Sequence, residues 1–187
     1  MNRRTAMKHL GGAATALLPL LAAGFLLSSA VAYAQAPTSA HADIASAQGT
    51  TIGQATFTTT GDGVQVTVNV SQLTPGEHGI HIHNVGKCEG PAFATAGGHF
   101  NPTSAHHGIH NAQAPHPHVG DLPNLTVDDK GAGKLSFMIP GATLAEGPNS
   151  LFHEGGTALV IHAKPDDLST DPSGSSGDRV ACGVITK

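Results

Sequence analysis

Basic residues are scarce in this chain, and they become scarcer after its first few positions. Three of the nine Lys and Arg residues lie within the first eight positions, which leaves six basic residues against 13 Asp and Glu in 35–187, a formal charge of −7. This balance argues against a nucleic acid partner and against binding to anionic membrane surfaces. Beyond residue 34 no apolar run is long enough to cross a bilayer, so no stable membrane span is predicted there.

Cysteine is also rare, because Cys88 and Cys182 are the only two in the chain. Neither has a second cysteine at CxxC spacing, and both lie beyond residue 34. One disulfide is the simplest prediction for such a pair in an exported protein, with free thiols or metal ligands as the alternatives. No cysteine lies close to residue 34, which argues against the lipid anchor of a lipoprotein.

The first 34 residues have the features of a signal peptide. A basic start over 1–9 is followed by an uncharged run over 10–34 that ends in the small-x-small sequence AYA. We expect cleavage after Ala34, because a signal peptidase recognises this pattern. The stretch NRRTAMK resembles a twin-arginine export signal, and a Sec signal or an uncleaved anchor is the alternative. Removing 34 of the 187 residues leaves 153, enough for one periplasmic or secreted domain.

Sustained helical periodicity is missing beyond residue 34, and short β-branched segments appear instead. The alternating segments 51–60 and 63–73 flank a GDG turn and predict a hairpin. The other predicted strands lie within 77–84, 124–140, 157–164 and 179–187. Short strands at this spacing predict an antiparallel sandwich or barrel with little helix.

Two longer segments lack a strand pattern. Residues 85–120 are rich in Gly, Pro, Ala and His, and residues 165–178 are polar. Unstructured segments of this length in a compact domain are usually functional or disordered, and a metal would order the first one. Residues 35–41 are predicted to be a flexible lead-in to a domain over 42–187.

The 13 histidines are more informative by their spacing than by their number. In GEHGIHIHN, His81 and His83 stand two positions apart in a predicted strand, so both side chains point to the same face. From that face they can reach one ion together. Two solvated histidines on a surface strand are the alternative interpretation.

Further residues of metal-ligand type follow along the chain. His99 precedes an FNP turn, His107 comes eight positions later, and His118 and Asp121 are three positions apart. Imidazole nitrogens with one carboxylate make a good tetrahedral zinc site. His162 ends the apolar run TALVI, where it is either a core residue or a ligand mounted on a stiff strand.

Six motifs occur in the order GEHGIHIHN, GGHFNP, HHG, HVGDLPNLTVD, GGTALVIHAKPDDL and GDRVACGVI. Together they resemble the copper/zinc superoxide dismutase family over about 42–187. The resemblance implies an all-β fold, an eight-stranded antiparallel Greek-key barrel or sandwich of immunoglobulin-like type with two long functional loops. It also implies an enzyme in which Cu(II)/Cu(I) cycling converts two superoxide anions and two protons to oxygen and hydrogen peroxide, with zinc structural.

The same resemblance implies a role for each matching residue. Copper would be bound by His81, His83, His99 and His162, and zinc by His99, His107, His118 and Asp121. His99 would bridge the two ions and supply one of the protons. Arg179 would hold the superoxide anion beside copper.

Two further assignments follow from the resemblance. Asp166 would accept hydrogen bonds from the outer nitrogens of His83 or His107 and so link the two metal sites. Cys88 would pair with Cys182 in a disulfide. No role is implied for the other histidines beyond residue 34, which are expected on the solvated surface: His41, His78, His106, His110, His116 and His153.

Two alternatives to the enzyme use the same residues. One is an exported copper/zinc carrier or buffer on the same fold, and the other is a structural domain that binds zinc alone. The segment between His162 and Arg179 is shorter than in the eukaryotic enzymes and carries few charges, so anion steering would depend on Arg179, Lys164 and the metals. Superoxide is the expected partner, and a homodimer is the alternative to a monomer.

Overall fold

A computed structural model describes Met1 and residues 36–113 and 116–187. The predicted signal peptide over 1–34 therefore lies, apart from Met1, outside the described residues. Within the described part of the chain, no helix has the length and apolar character needed to span a membrane. Its one helical element is a 3-10 helix at Ala94–Ala96.

Nine strands form one antiparallel sheet in the described residues. The predicted hairpin across the GDG turn is present, and its register pairs Phe57 with Val66. The strands are β1 Ser39–Ser46, β2 Thr51–Thr59, β3 Gly63–Val70, β4 Gly76–His78, β5 Ile80–His83, β6 Leu125–Val127, β7 Gly133–Pro140, β8 Ala158–His162 and β9 Arg179–Val184.

The sheet curls so that its two edge strands are consecutive in the chain. The strand order is β4-β6-β7-β3-β2-β1-β9-β8-β5, and only Gly79 separates β4 from β5. The backbone of Gly79 donates to the carbonyl of Lys164 and accepts from His162, both at 2.8 Å. The predicted antiparallel barrel is confirmed. Its strand number is nine because the segment predicted as one strand divides at Gly79.

Alternation along the strands builds the core. In β3, Val64, Val66, Val68 and Val70 are buried while the polar residues between them are half-buried or exposed. In β5 and β8 both faces are buried. Alternate residues of these two strands enter the main core, and the others face the long loop over 84–124, whose Phe93 packs on Val160.

The first strand begins earlier than the predicted domain boundary. β1 pairs with β2 from Ser39 onwards, opposite Thr58, so the residues 39–41 belong to the sheet and not to a flexible lead-in. The inward residues of this strand include Ala40 and Ala42, which are buried. Alanine carries a weak hydrophobic signal, which explains why alternation in this segment does not stand out in the sequence.

Two loops lie outside the strand ladder and correspond to the predicted functional segments. The loop 84–124, here called the first loop, joins β5 to β6, and the loop 163–178, here called the second loop, joins β8 to β9. Cys88 and Cys182 form the predicted disulfide, with Cα atoms 5.6 Å apart, and it ties the first loop to β9.

We predict that replacing both cysteines by serine (Cys88→Ser with Cys182→Ser) lowers the free energy of unfolding by roughly 2–5 kcal/mol. The bond spans 94 positions, so it removes a large loop entropy from the unfolded chain. Urea unfolding of the metal-free protein measures the difference. The reduced wild type is the matched control and should agree with the double variant, whereas a loss below about 1 kcal/mol would contradict the prediction.

Candidate metal centre

Four histidines, three of them buried and one half-buried, converge beside the edge of the barrel. His81 and His83 come from β5, His162 ends the neighbouring β8, and His99 of the first loop pairs with His83 in an isolated β-bridge. One ring nitrogen from each of the four lies within 4.8 Å of those of the others. We call this set the four-histidine group.

A second cluster shares one histidine with the first. His99, His107, His118 and Asp121 each offer a ligand atom within 4.8 Å of the others. The Nδ1 atoms of the three histidines lie 3.0, 2.9 and 3.3 Å from Oδ1 of Asp121. We call this set the Asp121 group. A backbone bridge between Asp121 and His81 brings it against β5.

Acceptors outside the four-histidine group determine which nitrogen of each ring faces inward. Nδ1 of His83 donates to the carbonyl of Gly97 at 2.9 Å, and Nδ1 of His162 donates to that of Gly177 at 3.1 Å. Nε2 of His81 donates to Oδ2 of Asp166 at 2.6 Å. A neutral imidazole has one N–H and one lone pair, so each ring directs its lone pair to the centre of the group.

The inward nitrogens fit a metal ion. Nδ1 of His81 and Nε2 of His83, His99 and His162 are buried and have no hydrogen-bond partner among the described residues. An unsatisfied buried acceptor costs stability, and four aimed at one point are unusual in a folded protein. A copper ion, for which imidazole is a suitable ligand, would satisfy all four.

The Asp121 group is oriented in the same way. Nε2 of His107 lies 3.1 Å from Oδ1 of Asp166, and Nε2 of His118 lies 3.1 Å from the carbonyl of Ala105. Both rings therefore present Nδ1 to the group. Three imidazole nitrogens and one carboxylate oxygen are the donor set of a tetrahedral zinc site.

His99 differs from the other histidines of the two groups because, among the described residues, neither of its ring nitrogens has a partner outside the groups. Its Nδ1 faces Asp121 and its Nε2 belongs to the four-histidine group. The ring of His99 stacks on that of His81, with centroids 3.9 Å apart. One imidazole can thus serve both clusters.

Asp166 joins the two clusters from behind. Its carboxylate accepts from Nε2 of His81 and of His107, so of the two predicted partners His107 makes the contact and His83 does not, and His81 is the second partner. A pair of hydrogen bonds with Asn124, both 2.8 Å, fixes the backbone of Asp166. Asn124 is a supporting residue that the sequence analysis did not identify, and it lies in the motif HVGDLPNLTVD.

Burial keeps the four-histidine group neutral. Removal from water lowers the pKa of His81 to about 3, of His83 to about 2 and of His162 to about 4. The pKa of His99 is lowered mainly for the same reason. A metal ion requires the unprotonated ring, so these residues are in the binding form over the whole physiological range.

The pKa of His107 moves in the opposite direction. Burial lowers it, but hydrogen bonds to Asp121 and Asp166 outweigh burial and raise the pKa of His107 to about 9. Burial would raise the pKa values of the two carboxyls, but hydrogen bonds, first among them those from His107, hold both well below their usual range. Two negative charges are therefore present behind and beside the rings, which favours a bound cation.

Arg179 begins β9 and pairs with His162 in the strand register. Its guanidinium donates to the carbonyl of Phe93 at 2.7 Å and to that of Gly97 at 2.6 Å. The same Gly97 oxygen accepts from His83. A cleft of about 440 Å³ opens here, lined by Ala92, Ala94, Gly97, Gly98, Gly177, Asp178 and Arg179.

Of the histidines expected on the surface, one is buried and two others, His41 and His153, are half-buried. His78 is 2% exposed, and its Nδ1 lies 2.6 Å from the carbonyl of His162. His153 is half-buried and stacks on Phe100. His106 and His110 are exposed as expected, and His106 lies 2.7 Å from Asp171.

The arrangement defines an antiparallel β-barrel with a buried centre able to hold two metal ions that share one imidazole. A family model described as copper/zinc superoxide dismutase matches residues 51–185. The chain belongs to the copper/zinc superoxide dismutase family, whose cofactors are copper and zinc.

Individual relatives agree with this membership. A superoxide dismutase of Aquifex aeolicus, the first of two copper/zinc forms, is 48% identical over 147 residues, covering 78% of this chain and 86% of the relative. A copper/zinc superoxide dismutase of Deinococcus radiodurans is 40% identical over 178 residues, covering 90% and 94%. The crystal structure of a SOD-like protein from Bacillus subtilis matches with a TM-score of 0.73 at 34% identity, covering 77% and 96%.

The metal-free protein is expected to be most stable near pH 6.5. His81, His83 and His162 bind protons more weakly when folded, so stability falls as the pH drops from about 6.5 towards 4. Each ring contributes at most ~1.4 kcal/mol per pH unit. His107 has a raised pKa, so its contribution is complete below about pH 6.5 and is lost as the pH rises through about 9.

Urea unfolding between pH 4 and pH 10 measures both limbs of this dependence. The acid limb should be at least about three times steeper than the alkaline limb, because His81, His83 and His162 contribute to it and His99 acts in the same direction, whereas His107 alone contributes to the other. Replacing the exposed His110 by Gln is the control and should change neither limb. A stability that stays constant from pH 6.5 to pH 4 would contradict the prediction.

Proposed function

We propose that this protein is a superoxide dismutase that converts two superoxide anions and two protons to oxygen and hydrogen peroxide. The four-histidine group would hold copper, and the Asp121 group would hold zinc. The observation that carries the proposal is the set of four buried, unpartnered imidazole nitrogens that meet beside Arg179. Relatives that are 40–48% identical and named superoxide dismutases support it.

Copper, when bound, supplies the one-electron redox change between Cu(II) and Cu(I), whereas zinc has no redox change and supplies charge and rigidity. Arg179 supplies the anion site. Its guanidinium is held by two carbonyl oxygens and lines the cleft, so a small anion that enters meets a fixed positive charge next to His83 and His162. Burial lowers the pKa of Arg179, which remains a cation at neutral pH.

His99 is the residue placed to deliver a proton. The five other histidines of the two groups each direct one nitrogen to an acceptor outside the groups. Among the described residues His99 has no such partner, so a proton on its Nε2, when that atom is not bound to copper, would point into the four-histidine group, where the reduced substrate would accept it. General acid catalysis needs a donor within hydrogen-bond reach, and this position supplies it.

We place the enzyme in the periplasm or outside the cell. The disulfide between Cys88 and Cys182 is the kind of bond that persists in an oxidising compartment. The signal features of residues 1–34 support the same location.

A carrier or buffer is less well supported than the enzyme. Storage needs ligands, but it has no use for a guanidinium that is fixed at the end of an open cleft. A domain that binds zinc alone would leave the four inward nitrogens unsatisfied. The named relatives also favour the enzyme.

His83→Ala is expected to abolish superoxide consumption by the copper-loaded protein. The change removes one of four copper ligands, and the copper affinity should fall by at least about tenfold. Pulse-generated superoxide decay and metal analysis provide the two measurements. His110→Ala is the matched control and should behave as wild type. A copper-loaded wild type no faster than buffer would refute the enzyme itself.

Arg179→Ala is expected to slow superoxide consumption by about tenfold or more while copper and zinc contents stay at the wild-type level. The guanidinium touches none of the inward nitrogens, so its loss removes the anion site and leaves the ligands in place. Arg179→Lys keeps the charge without the two-pronged geometry and should be intermediate. A rate equal to wild type in the alanine variant would disprove this anion site.

A further inference from the structure

Asp171 of the second loop reaches across to the first loop and contacts the main chain of a proposed zinc ligand. Its Oδ1 accepts the backbone N–H of His107 at 2.7 Å. Its Oδ2 lies 2.7 Å from Nδ1 of His106, and this second contact is largely exposed to solvent. The side chain of Asp171 belongs to neither metal group, so its contact with His107 serves another purpose.

The other backbone polar group of His107 is held in a similar way. Nδ2 of Asn111 donates to the carbonyl of His107 and to the carbonyl of Ser169 in the second loop, both at 2.9 Å. A third link joins the backbone N–H of His110 to the carbonyl of Leu168 at 2.9 Å. We call these contacts, made by Asp171, Asn111 and the pair 110/168, the clasp.

The second loop is rigid where it enters the clasp. Oδ1 of Asp167 accepts the backbone N–H groups of Ser169 and Thr170 at 3.0 and 2.7 Å. The carbonyl of Thr170 accepts from Gly174 at 2.7 Å. Asp171 therefore follows directly on a turn that is closed by its own hydrogen bonds, and its carboxylate is presented from a defined position.

The two loops also approach too closely for a side chain to intervene. Gly108 has a φ of +102°, and a Cβ there would collide with the carbonyl of Leu168. The two loops are thus in close backbone contact at the clasp. Asp171 fixes His107 at its N–H and Asn111 fixes it at its C=O, while Asp166 holds Nε2 of its ring. Its Nδ1 is left as the atom that faces Asp121.

We propose that Asp171, together with Asn111, is a positioning residue that holds His107 in the binding geometry before a metal arrives. This inference rests on the zinc assignment proposed above. None of the clasp contacts uses a metal-facing atom, so the clasp is complete in the metal-free protein. Ordering the first loop would otherwise consume part of the free energy of zinc binding, and a site that is ordered beforehand binds more tightly.

Three substitutions separate the contacts of Asp171. Asp171→Ala removes both, Asp171→Asn keeps an oxygen that can accept from the His107 N–H, and His106→Gln removes the exposed side-chain contact alone. The full chain is prepared metal-free, and Zn²⁺ alone is titrated in competition with a chelator. Amide hydrogen exchange of residues 104–111 in the metal-free protein provides a readout that does not depend on zinc.

We expect Asp171→Ala to bind Zn²⁺ about tenfold more weakly and to exchange its 104–111 amides faster. Asp171→Asn should show a smaller change in both quantities. His106→Gln should match the wild type, because a side-chain contact that is largely exposed to solvent contributes little. If the alanine variant does not fold, the comparison of Asp171→Asn with His106→Gln decides, and equal zinc affinity and exchange in those two would overturn the proposal.

The outcomes also separate this inference from the proposed function. A wild type that fails to bind Zn²⁺ would remove the zinc assignment, and with it the zinc role of the clasp. A wild type that binds Zn²⁺, together with an alanine variant of equal affinity and unchanged exchange, would overturn the positioning role of Asp171 and leave the enzyme proposal intact.

Discussion

The antiparallel pairing of β5 with β8 is the constraint on which the metal centre depends. It sets His81 opposite Val160 and His83 opposite Ala158, and β8 itself ends at His162. Both strands are buried on both faces, so the imidazoles they carry are removed from water as soon as the barrel forms. Burial of the apolar side chains of these two strands supplies the free energy that keeps the rings away from water, where they remain unprotonated.

The two loops complete the metal centre that β5 and β8 begin. They hold its side chains through hydrogen-bond acceptors that each serve two side chains. One oxygen, that of Gly97, holds both His83 and Arg179, so the copper side and the anion site have a common point of attachment. One carboxylate, that of Asp166, holds rings of both clusters. The disulfide fixes the first loop to the strand that carries Arg179. The first loop and β9, which bound the cleft, are therefore held to each other by hydrogen bonds and by the disulfide.

Much of this centre could be predicted from the sequence, because strand alternation places His81 and His83 on one face and the family resemblance carried by the six motifs implies the other donors. Alternation does not specify the tilt of a ring, so it could not predict that Asp166 accepts a hydrogen bond from His81 and not from His83. Nor does it reveal that His78 is buried against the carbonyl of His162, since that contact joins positions 84 apart. The sequence pattern predicts no strand before residue 51, so β1 is missed, because two of its inward side chains are alanines, which are too small to mark a strand.

Gly79 lies where the two edges of the sheet come together. Its backbone is hydrogen-bonded to His162 and Lys164, which flank the first residue of the second loop. A Cβ at this position would lie 2.7 Å from that of Ser176, so the seam admits no side chain. The same residue therefore both joins the two edges of the barrel and holds the start of the second loop. Opening the barrel along this seam would therefore also release the second loop, which carries Asp166.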